Sequence, residues 1–235
     1  MTYIQTHSGN CFRLDQPTAL TATQDDICTA LSRIPRFNGH TKKVYTVAQH
    51  SVAAYRIANA WRLNPELCAA ALLHDAHEAY IGDVPTPVKS FLTGIKELAY
   101  SVDRAIGESF DVLPAHMRDP RIRAIDAALL IMEADALLAG GRVGSFAAMR
   151  LPDVPFFALR NVRRGLEGKA PCWGEAKARR EMMRCIDEAM DNVTVWRSNS
   201  NIYERNSRHL NDGAEIFRVP MLSPLPVFEE AAPPF

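Results

Sequence analysis

The stretch that decides the fold is residues 71–87, ALLHDAHEAYIGDVPTP. It begins as an alanine- and leucine-rich helix and then places two histidines and two acids within five positions, 74–78. Burying ionisable groups among apolar ones is costly unless each group is paired, hydrogen-bonded or bound to a metal. The stretch therefore predicts a buried helix that carries a polar site.

Helical periodicity extends from this stretch over most of the chain. Apolar residues recur every three or four positions, and no alternating run is long enough to build a central sheet. We therefore expect a mostly α-helical, all-α protein. The expected helices cover about residues 23–34, 46–62, 64–82, 95–110, 119–140 and 174–193.

The domain organisation expected from the sequence is simple. No internal linker divides the chain, so residues 1–195 are predicted to form a single helical domain. Residues 142–173 are too irregular to assign to elements, and residues 196–235 are predicted to be a polar, proline-rich tail.

Charge and composition exclude several classes of partner. The chain has 27 basic and 27 acidic side chains, so the broad basic surface of a nucleic-acid polymer binder or an anionic-membrane binder is missing. No stretch approaches the roughly 20 apolar residues of a membrane span. The sequence MTYIQTHSGNCF lacks a secretion pattern, and the five cysteines are scattered, so we expect a reduced, cytoplasmic protein.

Ionisable residues stand at core positions of three predicted helices. His74, Asp75 and Glu78 lie in the quoted stretch, His50 lies on the 46–62 helix, and Asp126 lies on the 119–140 helix. Two imidazoles and two carboxylates are plausible ligands for a divalent transition metal with positions left for water and substrate. The donor chemistry favours Co, Mn, Zn, Ni or Fe, with a second Mg or Mn possible alongside substrate.

Each of these residues has a simpler explanation when it is taken alone. His50 could be a hydrogen-bonded core histidine, and Asp126 could pair with Arg123 on its own helix. The metal hypothesis rests on the fact that several residues able to bind a metal occur together at core positions of separate predicted helices.

The sequence also resembles a known family. His50, the pair His74 and Asp75, and Asp126, together with LLHDAHEAYIGDVPTPVK at residues 72–89, resemble the HD-domain metal-dependent phosphohydrolases. The likeness covers about residues 20–140 and is greatest to the small branch of 5′-deoxynucleotidases and dNTP triphosphohydrolases. It implies an HD-domain helical bundle with the metal site in its core.

The resemblance also assigns roles to residues. It implies that His50, His74, Asp75 and Asp126 bind the metal. Glu78 and Asp83 match the family's catalytic acids, which orient or deprotonate the attacking water and protonate the leaving oxygen.

A second segment, SRIPRFNGHTKKVYTVAQHS at residues 32–51, matches the family's nucleotide pocket. The match implies that Arg36 contacts phosphate and that Phe37 stacks near the base or sugar. Lys89 is a further phosphate candidate, and Lys42 and Lys43 are equally well explained as surface residues. Phe37 stands where members acting on monophosphates often have tryptophan, which leaves the base and sugar preference open.

The function expected from the sequence is metal-dependent hydrolysis of a nucleotide phosphate by a homo-oligomer. A 5′-deoxynucleotidase and a dNTP phosphohydrolase both fit. A di-iron oxygenase would need extra ligands, for which His77, His40 and His116 are available. A sensing module that binds nucleotide without turnover is the other alternative, and the presence of both Glu78 and Asp83 argues against it.

Overall fold

The structure is a computed structural model that describes residues 2–210, with side chains described as far as residue 200. It is mostly helical, as the sequence predicts. A short antiparallel hairpin, β1 (Tyr3–Gln5) with β2 (Cys11–Arg13), precedes the helices. The helices are α1 (Gln24–Leu31), α2 (Val47–Ala60), α3 (Pro65–Leu73), α4 (Glu78–Ile81), α5 (Thr86–Lys89), α6 (Ile95–Phe110), α7 (Pro114–Met117), α8 (Pro120–Leu137), α9 (Gly144–Ala147), α10 (Phe156–Leu166) and α11 (Glu175–Leu210).

The helix starts are set by capping residues in the sequence. Thr46 accepts a hydrogen bond from the Gln49 amide at the start of α2, and Asn64 accepts one from the Leu67 amide at the start of α3. Asp119 caps α8 and is followed by proline at the first helical position. Each cap satisfies a backbone N–H that has no partner inside the helix.

The centre of the bundle consists of α2 packed against α3, α8 and α10. All residues of α3 from Leu67 to Leu73 are buried, and α8 is buried on several sides. Such burial explains why an inward-facing polar residue of α8, Glu133, contacts other protein groups and not solvent. The site described below lies within the compact unit Met1–Arg197.

The helix of the quoted stretch is interrupted where its polar residues stand. The sequence predicts one helix as far as Gly82, but α3 ends at Leu73 and α4 begins at Glu78. Hydrogen bonds between residues three apart span the gap, from the Ala76 amide to Leu73 and from the Glu78 amide to Asp75. This tighter winding is typical of a 3₁₀ turn, which often marks a functional position.

The C-terminal part also differs from expectation. The sequence predicts that the last helix ends near Val193, but α11 continues to Leu210. No glycine or proline occurs between Gly174 and Gly213, so nothing in the chain forces an earlier end. Residues 196–210 of the predicted tail are therefore helical, and residues 211–235 lie outside the described part.

Helices of the described residues are too short or too polar to cross a bilayer.

Candidate metal centre

Four side chains from three parts of the bundle converge on one point. His50 comes from α2, His74 and Asp75 from the turn after α3, and Asp126 from α8. One donor atom from each lies within 4.8 Å of the others, and the described side chains form no second cluster of this kind. The sequence therefore named four residues that the fold brings together.

The distances within this cluster are those of groups that share a centre. The two histidine Nε2 atoms are 3.3 Å apart, and His50 Nε2 lies 3.2 Å from Asp126 Oδ1 and 3.5 Å from Asp75 Oδ2. Two ligands that each lie about 2.1 Å from one ion are roughly 3.0 to 3.4 Å apart when their angle at the ion is near 90 to 110°. The cluster thus has the size of a metal site.

The tautomers of both histidines also suit a metal. His74 Nδ1 lies 2.9 Å from the carbonyl oxygen of Ala71, and His50 Nδ1 lies 2.8 Å from Glu133 Oε1. Both partners can only accept, so each Nδ1 donates and each neutral ring presents the lone pair of Nε2 to the cluster. Two facing lone pairs repel unless a cation lies between them, and the residues present therefore fit a divalent metal.

Glu133 supports the cluster from inside the protein. Its carboxylate is fully buried and, besides His50, accepts hydrogen bonds from Tyr45 Oη at 2.9 Å and Arg36 Nε at 3.0 Å. Burial opposes its ionisation, but His50 and Arg36 hold the pKa of Glu133 below its ordinary value. Glu133 is therefore a charged anchor that orients the His50 ring, one of the four clustered donors.

The sequence analysis missed this role of Glu133. The signal was available, because Glu133 lies seven residues after Asp126, two helical turns along the same face of α8. Tyr45 carried no such signal, since only the folded chain places its hydroxyl next to Glu133.

Arg36 lies between Glu133 and the clustered carboxylates of Asp75 and Asp126. It is 7% exposed, its Nη1 lies 3.4 Å from Asp75 Oδ2 and its Nη2 lies 4.0 Å from Asp126 Oδ1. Burial disfavours its charge, but Glu133, Asp75 and Asp126 together raise its pKa. The guanidinium therefore stays charged at the edge of the cluster, with its Nη groups directed toward the ligand oxygens.

The turn that carries Arg36 is strained. Phe37 and Asn38 both have left-handed backbone conformations, with φ of 54° and 49°, and Gly39 follows with φ of 77°. A left-handed conformation costs a residue with a side chain on the order of 1 kcal/mol or more. A hydrogen bond from the Arg36 amide to the Tyr45 carbonyl holds the loop closed. The Phe37 ring is half-buried, with its centroid 5.8 Å from the guanidinium carbon.

Glu78 is a second buried glutamate near the cluster, where the charges of Asp75 and Asp83 act on it. Its side chain is 2% exposed, and Oε2 has no hydrogen-bond partner among the described residues. Burial, reinforced by the charges of Asp75 and Asp83, raises the pKa of Glu78 to about 10. Burial also raises the pKa of Asp83, which is less deeply placed. Two neighbouring carboxyl groups with raised pKa values are typical of acid and base catalysis.

A groove of about 530 Å³ opens beside His74, between α4 and α5 on one wall and α6 and α7 on the other. Its lining includes His74, His77, Lys89, Tyr100, Asp103 and Arg118. Lys89 is thus next to the cluster, where its charge also acts on the carboxyl groups of Glu78 and Asp83. The Asp126 side chain, 43% exposed, leaves the cluster open to solvent as well.

The other candidate residues lie apart from the cluster. His40 is exposed on the loop after Arg36, His116 faces Glu66 at 3.8 Å, and His77 contacts Asp103. Lys43 is exposed, and Lys42 Nζ donates to the Ala136 carbonyl. The extra histidines that a di-iron centre would need are therefore not among the converging donors.

Comparisons with known proteins show which family the chain resembles. Residues 30–139 match the family model described as 5′-deoxynucleotidase YfbR-like. The uncharacterized protein YfdR of Escherichia coli K12 is 35% identical over 162 residues, which cover 69% of this chain and 85% of that protein. An uncharacterized protein of Rhodobacter capsulatus is 37% identical over 132 residues, covering 52% of this chain and 64% of that protein.

A relative named as an enzyme is more distant. A 5′-deoxynucleotidase of Enterobacter sp. strain 638 is 31% identical over 112 residues, which cover 40% of this chain and 56% of that enzyme. The matched region of the family model contains His50, His74, Asp75 and Asp126, together with Arg36, Glu78 and Asp83. The chain belongs to the YfbR-like 5′-deoxynucleotidase family of HD-domain proteins.

Proposed function

We propose that the protein is a metal-dependent phosphohydrolase that releases phosphate from a 2′-deoxynucleoside 5′-monophosphate. The observation that carries the proposal is the convergence of His50, His74, Asp75 and Asp126 within 4.8 Å beside an open groove. The name of the Enterobacter relative and the description of the family supply the substrate class.

The metal would be held by those four residues. Their mixture of imidazole and carboxylate donors suits Co, Mn, Zn, Ni or Fe. A divalent ion bound there would lower the pKa of a coordinated water and polarise a phosphoryl oxygen.

Arg36 and Lys89 would bind the phosphate. Arg36 retains its charge at the edge of the cluster, and its planar fork of donors matches phosphate oxygens. Glu133 fixes the position of this guanidinium, so its donors need little reorganisation when charge develops on the phosphate. Lys89 reaches the same region from the groove wall.

Glu78 and Asp83 would move protons. Hydrolysis of the ester requires a proton for the leaving 5′-oxygen and removal of a proton from the attacking water. Glu78 holds its proton at neutral pH when no cation is nearby, so it is suited to donate to the leaving oxygen. Asp83 is less buried and has Lys89 close by, so its carboxylate is suited to accept the proton from water.

The test is product identification. The protein is loaded in turn with Co, Mn, Zn, Ni or Fe and incubated with ribonucleoside and deoxyribonucleoside monophosphates and with dNTPs. Release of inorganic phosphate and a deoxynucleoside supports the proposal. Release of triphosphate from dNTPs, or no release from any nucleotide with any metal, contradicts it.

A further inference from the structure

A second polar cluster lines the groove without being part of the metal centre. Asp103, 5% exposed on α6, accepts from Arg118 Nη2 at 2.9 Å, and its other oxygen lies 3.0 Å from His77 Nδ1. The Arg118 guanidinium in turn lies over the Tyr100 ring, 4.3 Å from its centroid. His77 stands at the start of α4, but its side chain caps no backbone amide there.

This arrangement fixes the orientation of the His77 ring. A carboxylate can only accept, so the hydrogen bond to Asp103 places a proton on Nδ1. Nε2 of the neutral ring is then an acceptor. No hydrogen bond to His77 Nε2 occurs within the part of the chain whose side chains are described. The chain therefore holds an imidazole in one orientation and leaves its second nitrogen for another partner.

The groove determines where that partner would lie. His74 and His77 are three residues apart, which places their Cβ atoms about 5 to 6 Å from each other on a helical turn. Both side chains line the groove, whose volume of about 530 Å³ exceeds what a phosphate group needs. Tyr100 and the apolar Ile81, Ile95 and Met117 also line it, so the space suits a sugar and base.

The chemistry of Nε2 selects the group that would bind. An acceptor nitrogen pairs with a donor, and a phosphate oxygen has no hydrogen to donate when ionised. The sugar next to a 5′-phosphate carries hydroxyl donors, and in a 2′-deoxynucleotide the 3′-hydroxyl is the one that remains. This step rests on the proposed function, which supplies the deoxynucleotide.

We propose that His77, positioned by Asp103, accepts a hydrogen bond from the 3′-hydroxyl of the substrate and that the nucleoside end of the substrate occupies the groove. His77 would then be a specificity-determining residue. Once the hydroxyl is bound, it would fix the position of the sugar relative to the phosphate at the metal centre.

The experiment removes the 3′-hydroxyl from the substrate and the imidazole from the protein, first separately and then together. Metal-loaded protein is assayed with dAMP and with 2′,3′-dideoxyadenosine monophosphate. For the wild type, loss of the hydroxyl should lower kcat/KM by roughly 3- to 10-fold, as for one neutral hydrogen bond. His77→Ala should lower kcat/KM for dAMP by a similar factor, mainly through KM, and should leave the dideoxy substrate almost unaffected.

Two further variants provide controls. His77→Gln keeps an acceptor in the groove and should retain part of the preference for dAMP. It also replaces His77→Ala as the test variant if the alanine variant does not fold. His7→Ala changes an exposed histidine before β2 and should behave as the wild type. Metal content and circular dichroism of each variant check that the metal centre and the helices are intact.

Binding is also measured without turnover, so that the two proposals can fail separately. Phosphonate analogues of dAMP and of its dideoxy form are titrated calorimetrically into the wild type and into His77→Ala and His77→Gln. A 3′-hydroxyl preference in the wild type that disappears in His77→Ala supports the inference even if no nucleotide is hydrolysed. Equal preference in wild type and variant, equal weakening of both ligands, or no preference in the wild type overturns it.

Discussion

Two buried glutamates near the same cluster behave differently. Glu133, fully buried behind His50, is bonded by His50, Tyr45 and Arg36, and its pKa is lowered. Glu78 is almost as deeply buried next to Asp75 and Asp83, and burial raises its pKa to about 10. Residue type and burial are the same, so the difference lies in the partners.

The two glutamates show the difference between a carboxylate that holds a neighbouring side chain in place and a carboxyl group that can exchange a proton. A carboxylate whose oxygens are bonded to donors is held in one charge state and one position, which suits the anchoring of a metal ligand. A carboxyl group with an unpartnered oxygen can change its protonation and bind something else. The surroundings of Glu133 are therefore preorganised, whereas Glu78 keeps an oxygen whose protonation can change.

The largest effect is expected at Asp75, which is one of the four clustered donors and also acts on the pKa of Glu78. Asp75→Ala removes a proposed ligand, and both metal binding and turnover should fall below detection while the helices remain. Metal analysis after dialysis, a phosphate release assay and circular dichroism measure this. Unchanged activity in this variant would show that the four-residue assignment is wrong.

At Glu133 we expect a loss of stability. Glu133→Ala removes the carboxylate that bonds Arg36 Nε and the His50 ring, and breaking a buried ion pair in this way costs about 3 to 5 kcal/mol. Urea unfolding of the metal-free variant measures the change in the free energy of unfolding. Glu133→Gln, which keeps a hydrogen-bonding oxygen, is the matched control and should be less destabilised. A change below about 1 kcal/mol in the alanine variant would contradict the anchoring role.

At Glu78 we expect a loss of rate instead. Glu78→Gln removes the acidic proton that Glu78 would donate, so turnover should fall by about 10²- to 10⁴-fold with metal content unchanged. Steady-state kinetics and metal analysis on the same preparation measure both. If metal content falls together with rate, Glu78 belongs with the ligands and the contrast with Glu133 is lost.

A pH dependence of stability is expected in the metal-free protein. The pKa of Glu78 is raised on folding, so its contribution is present in full below about pH 4.5 and is lost as pH rises toward 10. Wild type should therefore lose stability relative to Glu78→Gln across this range, measured by thermal unfolding in chelator. Added metal should reduce the difference, because a nearby cation favours the carboxylate. A difference that does not vary with pH would mean that Glu78 titrates normally.

The sequence predicted the fold class and much of the site because both rest on short-range patterns. Capping residues such as Asn64 and Asp119 predict where helices begin, and the capped helices are observed. The ligand cluster was predictable because His50, His74, Asp75 and Asp126 are polar residues at apolar positions. The interruption between Leu73 and Glu78 was not predictable, since the residues of that segment are compatible with a continuous helix.

The long-range partners could not be read from the chain. Arg36 was predicted only as a phosphate ligand, but it also bonds to Glu133, 97 residues away. The hydrogen bond of His77 with Asp103 joins two helices whose relative position has no sequence signature.

By itself, the sequence determined that this chain is a helical protein with imidazole and carboxylate groups in its interior, since helix periodicity and caps act over a few residues. Only the tertiary structure decided which carboxyl group is charged and which is neutral. A pKa depends on the atoms within a few ångströms, and these come from helices far apart in the chain.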